Sequence, residues 1–320
     1  MSDKKDPSSL RPLTLKEYIG QENVVKTLKL FLDAVNNRGV AAEHILFYGP
    51  PGIGKTTLSH IIAKELNGNL RITSGAAITK TGDLAAILTN LKDNDVLFID
   101  EIHRIPKPVE EMLYPVIEDY ALDIIIGKGP SARSVQLELP PFTLIGATTR
   151  ISLLSAPLRS RFGGGVFRLE YYSENELAKI LERSAKIIEV DIEKDAINEI
   201  VKRSRKTPRA ANYFLKRVRD YGQVKNMPLA PNTANEALTL LGIDELGLNQ
   251  IDRDYLKTLF HKFKGGPTGI STLASALHED EGTLEDVIEP YLLSLGFIER
   301  TPRGRTITDF GIEHLSTKTL

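Results

Sequence analysis

The sequence predicts an α/β chain in three parts: a parallel-sheet domain, a small all-helical domain, and a C-terminal unit of three helices and a hairpin. Three observations predict this. Short apolar strands alternate with amphipathic helices through the first half, the signature of a parallel sheet covered on both faces. From Ser173 to Gly242 apolar residues recur at i, i+3, i+4 and i+7 without a strand pattern. After Leu246 the order is helix, helix, helix, hairpin, which is the order of a winged-helix module.

The predicted strands of the first part are His44–Tyr48, Leu70–Thr73, Val96–Ile99 and Thr143–Gly146. Helices are predicted at Thr56–Leu66, Gly82–Asn90 and Val109–Asp119. Between Ala121 and Pro140, LDIIIG, the turn-forming GKGPSA and RSVQLEL read as a β-hairpin leaving the core, spanning Leu122–Leu139. Three consecutive isoleucines, Ile124–Ile126, place apolar groups on both faces of that ribbon, a pattern for an exposed partner surface. ENELAKILERSAKII, DAINEIVKRS and RAANYFLKRVRDY supply helices of the second part. The third part is predicted as Asp252–Phe263, Ser271–Leu277, Thr283–Leu295 and a FIER–TPRG–RTIT hairpin. Domain boundaries fall at 1–172, 173–245 and 246–320.

Composition narrows the class. At 320 residues the chain is long for one core, and 41% hydrophobic with 26% charged residues is a globular balance. No cysteine is present, which excludes disulfides, thiolate metal sites and a cysteine nucleophile. The N-terminal MSDKKDPSSL has no apolar signal core, and apolar runs are of the Val96–Ile99 length, so a cytoplasmic protein without membrane contact is expected. A formal charge of −1 means that any nucleic-acid contact must come from local basic patches. The C-terminal part, Leu246–Leu320, carries eight Lys/Arg against eleven Asp/Glu. Its Arg300, Arg303 and Arg305 nevertheless cluster around a Pro302–Gly304 turn, a spacing that can form a cationic tip for phosphates.

Residues 49–57, GPPGIGKTT, match the phosphate-binding pattern G-x-x-x-x-G-K-[ST], with a strand before and a helix after. Glycines such as Gly52 and Gly54 let backbone N–H groups approach phosphates, and the helix N-terminus adds a favourable dipole. Lys55 is placed to reach the β- and γ-phosphates of ATP, and Thr56 to bind Mg²⁺. The buried strand Val96–Ile99 runs into Asp100 and Glu101, at the sheet edge where ligands bind. Asp100 suits the metal and Glu101 the attacking water. His103 lies just beyond, and a loop histidine is more often structural than a ligand. A third strand ends in Ala-Thr-Thr-Arg, where Thr149 can sense the γ-phosphate and Thr148 suits a local cap. Arg161 and Arg209 are either surface charge or the cations that phosphoryl transfer requires; their spacing alone leaves both open.

Together these residues resemble the AAA+ superfamily, and longer tracts narrow the resemblance to the RuvB family. The tracts are LRPLTLKEYIGQENV, GDLAAILTNL, DVLFIDEIHR, EEMLYPVIEDYALDIIIGKGPSARS, PPFTLIGATTR, SAPLRSRFG, TPRAAN, LGIDELGL and GFIERTPRGR, spread from about Leu10 to Leu315. The resemblance implies a P-loop NTPase domain, a helical lid and a winged-helix head. It also implies a homo-hexameric ATPase around duplex DNA of Holliday junctions, loaded by RuvA and working with RuvC. It assigns Lys55 and Thr56 to Walker A, Asp100 and Glu101 to Walker B, and Thr149 to sensor 1. Arg161 becomes the arginine finger acting on a neighbour's ATP, and Arg209 sensor 2. Leu10, Arg11, Gly52, Gly54, Thr57, Glu118, Asp119, Tyr120 and Tyr172 fall at nucleotide-pocket positions. Ile124, Ile125 and Ile126 fall on the RuvA-docking hairpin, and Arg300 and Arg305 at positions touching the DNA backbone. One departure is Gly163-Gly164-Gly165, one residue longer and richer in glycine than the family's loop after the finger.

Two other classes share part of this pattern. A clamp or helicase loader has the same Walker and sensor residues, but the isoleucine hairpin and the ERTPRGR wing point elsewhere. A DNA-binding module that merely holds ATP would have no need of the Asp100-Glu101 pair. A protease-linked unfoldase would carry an aromatic-hydrophobic pore motif, and none stands out.

Overall fold

A computed structural model describes residues 10–126 and 133–316. Its contacts divide the chain into two compact units, residues 1–180 with Thr207–Arg209, and residues 181–206 with 210–320. The helical and C-terminal parts, which the sequence pattern separates at 245, thus fall in one unit.

The first unit is built on a five-stranded parallel sheet in the order β2-β3-β6-β1-β7. Its strands are β1 (Ile45–Tyr48), β2 (Leu70–Ser74), β3 (Val96–Asp100), β6 (Thr143–Thr148) and β7 (Gly165–Arg168). The hairpin between β3 and β6 supplies β4 (Ala121–Ile126) and β5 (Arg133–Glu138). Val96 to Ile99 and all of β6 are buried, as strands covered on both faces must be. Helices α1 (Glu22–Arg38), α2 (Lys55–Glu65), α3 (Thr81–Leu88), α4 (Lys107–Asp119) and α5 (Ala156–Ser160) belong to this unit. Leu84, Leu88, Val109, Leu113 and Val116 pack with Leu97, Ile99 and Leu144 in the core that carries β3 and β6.

Helices α1 and α5 and strand β7 add to the elements expected from periodicity. The α1 stretch, Glu22–Arg38, buries only Leu28, Leu32 and Val35, a stripe diluted by charged and amide residues. Strand β7 is an edge strand with only partial burial, so its four residues lack both a long apolar run and clean alternation.

Antiparallel pairing of β4 and β5 runs from Ala121 opposite Glu138 to Ile126 opposite Arg133. The predicted turn, 127–132, lies outside the described residues, as do the side chains of Ile125 and Ile126. Ile124 is not a free apolar group: it is half-buried and packs on the core. Among the described residues of this ribbon, Val135 and Leu137 are exposed apolar groups. Val135 lies opposite Ile124 and Leu137 opposite Leu122, so these four share one face of the ribbon, covered by the core along β4 and left open along β5.

The second unit begins with α6 (Glu174–Ile187), α7 (Lys194–Arg203), α8 (Pro208–Lys225) and α9 (Pro231–Leu240), the starts of α6 and of α8, including Arg209, lying in the first. It continues with α10 (Gln250–Lys257), α11 (Ile270–Leu277), α12 (Glu281–Thr283), α13 (Glu289–Ser294) and α14 (Asp309–Ser316). Short π-helical turns at Thr258–Lys262 and Leu284–Ile288 interrupt what the pattern predicts as continuous helices. Strands β8 (Ile298–Thr301) and β9 (Gly304–Ile307) form the wing. Leu256, Leu259, Leu273, Leu284, Ile288, Leu292, Ile298 and Ile307 make this module's own core.

Candidate functional site

The phosphate loop follows β1 and ends at the N-terminus of α2. Gly49, Gly52 and Gly54 all have positive φ, at 141°, 79° and 108°. Two of them also admit no side chain: a Cβ on Gly49 would lie 2.3 Å from the Leu169 carbonyl, and one on Gly54 2.5 Å from the Tyr18 hydroxyl. Tyr18 and Tyr172 hold the loop from behind. The Tyr172 hydroxyl meets that of Tyr18 at 2.9 Å, and both reach the carbonyl of Ile53. Burial pushes the Tyr172 phenol up to about 12, so it stays a neutral donor. Leu10 is buried, and Arg11 is bonded to the imidazole of His60 on α2 at 2.7 Å.

Lys55 is buried, and its Nζ donates to the carbonyls of Gly49 and Pro50 at 2.7 and 2.8 Å. Burial pulls its pKa down to about 8, while Glu101 and Asp100 support the charged form and Arg209 opposes it. Three charged groups, the adjacent Asp100 and Glu101 and the distant Arg209, therefore act on one ammonium. Thr56 and Thr57 sit half-buried on the first turn of α2. Arg209 stands at the start of α8, and its N–H donates to the Gly52 carbonyl at 3.3 Å.

Asp100 ends β3, and its Oδ1 accepts from the Glu101 N–H at 3.0 Å. Glu101 adopts φ 46°, a left-handed conformation uncommon outside glycine, which turns its side chain off the strand line. Its Oε2 accepts from the N–H and hydroxyl of Thr149 at 3.2 and 3.0 Å, and lies 3.1 Å from His103 Nδ1. Thr148 is fully buried; its hydroxyl caps the Arg150 N–H and meets His103 at 2.8 Å. Lys55, Asp100, Glu101 and Thr149 thus lie together at one sheet edge, and Arg209, which spacing alone left open, stands against the same loop.

A divalent cation fits the donors present. Thr56 and Asp100 offer a hydroxyl and a carboxylate, hard oxygen ligands suited to Mg²⁺, which keeps its remaining positions for water and substrate phosphates. Among the described residues no cluster of three or more His, Cys, Asp or Glu could hold a metal unaided.

Arg161 is held elsewhere. Its Nη2 donates to Glu118 Oε2 at 3.2 Å and its Nη1 to the Pro157 carbonyl at 2.7 Å. Its guanidinium stacks 4.4 Å from the Tyr114 ring centroid. Nε lies 3.1 Å from Glu118 Oε1 but makes no hydrogen bond, so the pair is joined through Nη2 alone. Asp119 is exposed beside it, and Tyr120 ends α4 in a left-handed turn. The glycine triplet after Arg161 is packed rather than loose: Gly164 N–H donates to the His44 carbonyl at 2.9 Å, and a Cβ there would lie 2.7 Å from the Glu43 carbonyl.

The wing departs from the expected free cationic tip. Glu289 is fully buried and accepts from Arg300 Nε at 2.7 Å, Arg305 Nε at 2.9 Å and the Tyr255 hydroxyl at 2.9 Å. Arg305 also reaches Glu285 at 2.8 Å and is mostly covered. A carboxylate taken wholly out of water requires such compensation, and two wing arginines provide it. Arg303 is exposed, and Arg300 keeps 44% of its side chain exposed. Sequence spacing reported the cluster of arginines; it carried no signal that Glu289 would be buried beneath them.

A parallel sheet with this loop after β1, acids at the end of β3 and a hydroxyl at the end of β6, followed by a helical lid, defines a P-loop ATPase of the AAA+ class. Residues 10–169 match the family described as the Holliday junction DNA helicase RuvB P-loop domain, residues 172–244 the RuvB AAA lid domain, and residues 245–316 the RuvB C-terminal winged helix domain. The chain belongs to the RuvB family. It is 56% identical over 315 residues to the Holliday junction branch migration complex subunit RuvB of Dehalococcoides mccartyi, covering 98% of this chain and 90% of that protein. The same figures hold for the subunit so named from Clostridium kluyveri. Among solved structures, the Thermotoga maritima RuvB Holliday junction branch migration motor is 48% identical, with a TM-score of 0.88 over 96% of this chain and 98% of that one.

Proposed function

We propose that this chain is the ATP-hydrolysing motor of a Holliday junction branch migration complex. The observation that carries this reading is continuity: one family accounts for ATPase core, lid and winged helix over residues 10–316. In this reading Lys55 holds the β- and γ-phosphates, leaving the Gly49 and Pro50 carbonyls for a stronger anionic partner. Thr56 and Asp100 hold Mg²⁺, which neutralises charge on the phosphates. Glu101 orients and deprotonates the attacking water, Thr149 senses the γ-phosphate, and Arg209 brings the lid's charge to the same group. Leu10, Arg11, Gly52, Gly54, Thr57 and Tyr172 line the nucleotide.

Arg161 then leaves Glu118 and completes the site of the next subunit in a hexameric ring, with Glu118–Tyr120 beside it. The β4–β5 ribbon, with exposed Val135 and Leu137 and the Ile124–Ile126 strand, docks RuvA, and the assembly works with RuvC on duplex DNA in the cytoplasm. No described helix is long and apolar enough to cross a membrane. Arg303 and the exposed face of Arg300 meet DNA phosphates, while Arg305 braces the wing. The test is ATP turnover measured with and without RuvA and a synthetic four-way junction. Turnover that rises when both are present supports the motor; turnover indifferent to both contradicts it.

A further inference from the structure

His103 is placed as no ordinary loop histidine. It sits in the 3-10 turn Ile102–Arg104 that follows Glu101, with its side chain only 10% exposed. Nδ1 stands 2.8 Å from Thr148 Oγ1 and 3.1 Å from Glu101 Oε2. A bare nitrogen lone pair facing a carboxylate oxygen at that distance would be repelled, so the Nδ1 proton is required. That N–H donates to Thr148 Oγ1, with Glu101 Oε2 close beside it. Thr148 Oγ1 already accepts from the Arg150 N–H at 2.9 Å, and its second lone pair suits the imidazole. Two donors from Thr149, its N–H and its hydroxyl, reach Glu101 Oε2, and His103 Nδ1 lies 3.1 Å from the same oxygen. Oε1 accepts no hydrogen bond from the described residues.

The backbone fixes the geometry from the other side. Glu101 N–H is taken by Asp100 Oδ1, and its carbonyl accepts from the Arg104 N–H at 2.9 Å. A Cβ on Gly75 would lie 2.3 Å from that carbonyl, so the neighbouring turn closes tightly over it. With the main chain held, the carboxylate's direction depends on what grips Oε2. One grip comes from Thr149, whose hydroxyl has a second task at the γ-phosphate. The other comes from His103, which is anchored to a fully buried hydroxyl with no such task.

We propose that His103 is a positioning residue for hydrolysis: it pins Oε2 of Glu101 to the end of β6, so that Oε1 is the oxygen presented to the attacking water. This rests on the reading of Glu101 as the group that activates water. When Thr149 turns to the phosphate, His103 is the donor that keeps the carboxylate in place. A base misplaced by about 1 Å costs on the order of 10² in rate. His103→Ala therefore lowers kcat by about 10- to 100-fold and leaves ATP affinity unchanged, because the imidazole touches Glu101 and not the nucleotide.

The experiment measures kcat and nucleotide Kd for His103→Ala, His103→Asn, Glu101→Gln and the double variant Glu101→Gln/His103→Ala. Asparagine carries its amide nitrogen as many bonds from Cα as Nδ1 is, so His103→Asn recovers most of the lost kcat. In the Glu101→Gln background, His103→Ala adds less than a twofold effect, since the group it positions is already disabled. The proposal is overturned if His103→Ala keeps kcat within twofold of wild type, if its Kd weakens in step with kcat, or if the two losses multiply. Should Glu101→Gln itself turn over ATP at the wild-type rate, the reading of Glu101 falls, and this proposal with it. If His103→Ala does not fold, His103→Asn decides: near wild-type kcat supports positioning, and a loss as large as that of Glu101→Gln contradicts it.

Discussion

Arg161 donates to Glu118 within its own chain, Nη2 to Oε2 at 3.2 Å, with the guanidinium lying over Tyr114. The Tyr114 hydroxyl is itself fixed by Glu110 at 2.7 Å and Ser155 at 3.2 Å. The arginine is thus presented on a prepared surface, away from the Lys55 site of the same chain. In the proposed reading this cation leaves Glu118 for the ATP of a neighbouring subunit rather than for its own P-loop. Arg161→Ala is expected to lower turnover by about 10³–10⁵, the usual contribution of an arginine finger. Mixing Arg161→Ala with Lys55→Ala subunits is expected to restore hydrolysis, because some interfaces then pair an intact finger with an intact P-loop. Mixed rings no more active than either variant alone would show that Arg161 does not act across subunits.

His44 gives the first unit a pH dependence. Its ring is buried between β1, α4 and β6, receives the Leu144 N–H at 2.8 Å and meets the Ile117 carbonyl at 3.0 Å. Burial lowers its pKa from 6.5 to about 4, outweighing the Ile117 bond, which raises it. Between those values the unfolded chain binds a proton that the folded chain refuses, so stability is full above about pH 6.5 and is lost as pH falls toward 4. At 1.36 kcal/mol for each pKa unit the loss is about 3 kcal/mol. Denaturation of wild type and His44→Leu at pH 7 and pH 5 checks this. The variant is expected to be less stable at pH 7, with two partners unpaired, but to lose less on acidification than wild type. Equal losses in both proteins would place the acid sensitivity elsewhere.

In the wing, the three arginines are expected to separate by role. Arg305→Ala strips Glu289 and Glu285 of a partner and leaves a fully buried carboxylate undercompensated, a change that costs about 3–5 kcal/mol when a buried pair is broken. Its first effect is therefore on the melting of the C-terminal module. Arg303→Ala leaves the fold untouched and lowers the slope of log affinity against log salt by about 0.9, the loss of one phosphate contact. The effect is expected to be the same on two unrelated duplexes. Binding titrations across salt, paired with thermal melts, distinguish the two. A sequence-dependent loss for Arg303→Ala would mean that the tip reads bases.

The candidate edge was legible because its residues stand in contiguous motifs. A glycine loop must be glycine where a Cβ would strike Leu169 or Tyr18, and a buried strand must announce its polar end, so Lys55, Asp100, Glu101 and Thr149 all stood out. Helix periodicity likewise placed α2, α3, α4 and α6 to within a few residues. What stayed hidden was long-range. His103 looks like any loop histidine until folding brings Thr148, forty-five residues away, against it. Glu289 looks like a solvated helix acid until two arginines and Tyr255 close over it. Edge strand β7 and helix α1 carry patterns too mixed to register alone, because each is only partly buried. The sequence also carried no signal that the glycines after Arg161 would pack against Glu43 and His44.

In the proposed function, ATP turnover at Lys55 and Glu101 moves a Holliday junction, which ATP-driven migration of a synthetic four-way junction with RuvA measures. Lys55 contacts phosphate in the ground state, whereas Glu101 acts mainly on the attacking water. Wild type is expected to convert the junction to duplex products only with ATP. Lys55→Ala is expected to bind no nucleotide and move no junction. Glu101→Gln is expected to bind ATP as wild type does, yet leave the junction where it started. A wild-type protein that hydrolyses ATP without moving the junction, or a Glu101→Gln variant that moves it at the wild-type rate, would show that turnover at this site does not drive migration.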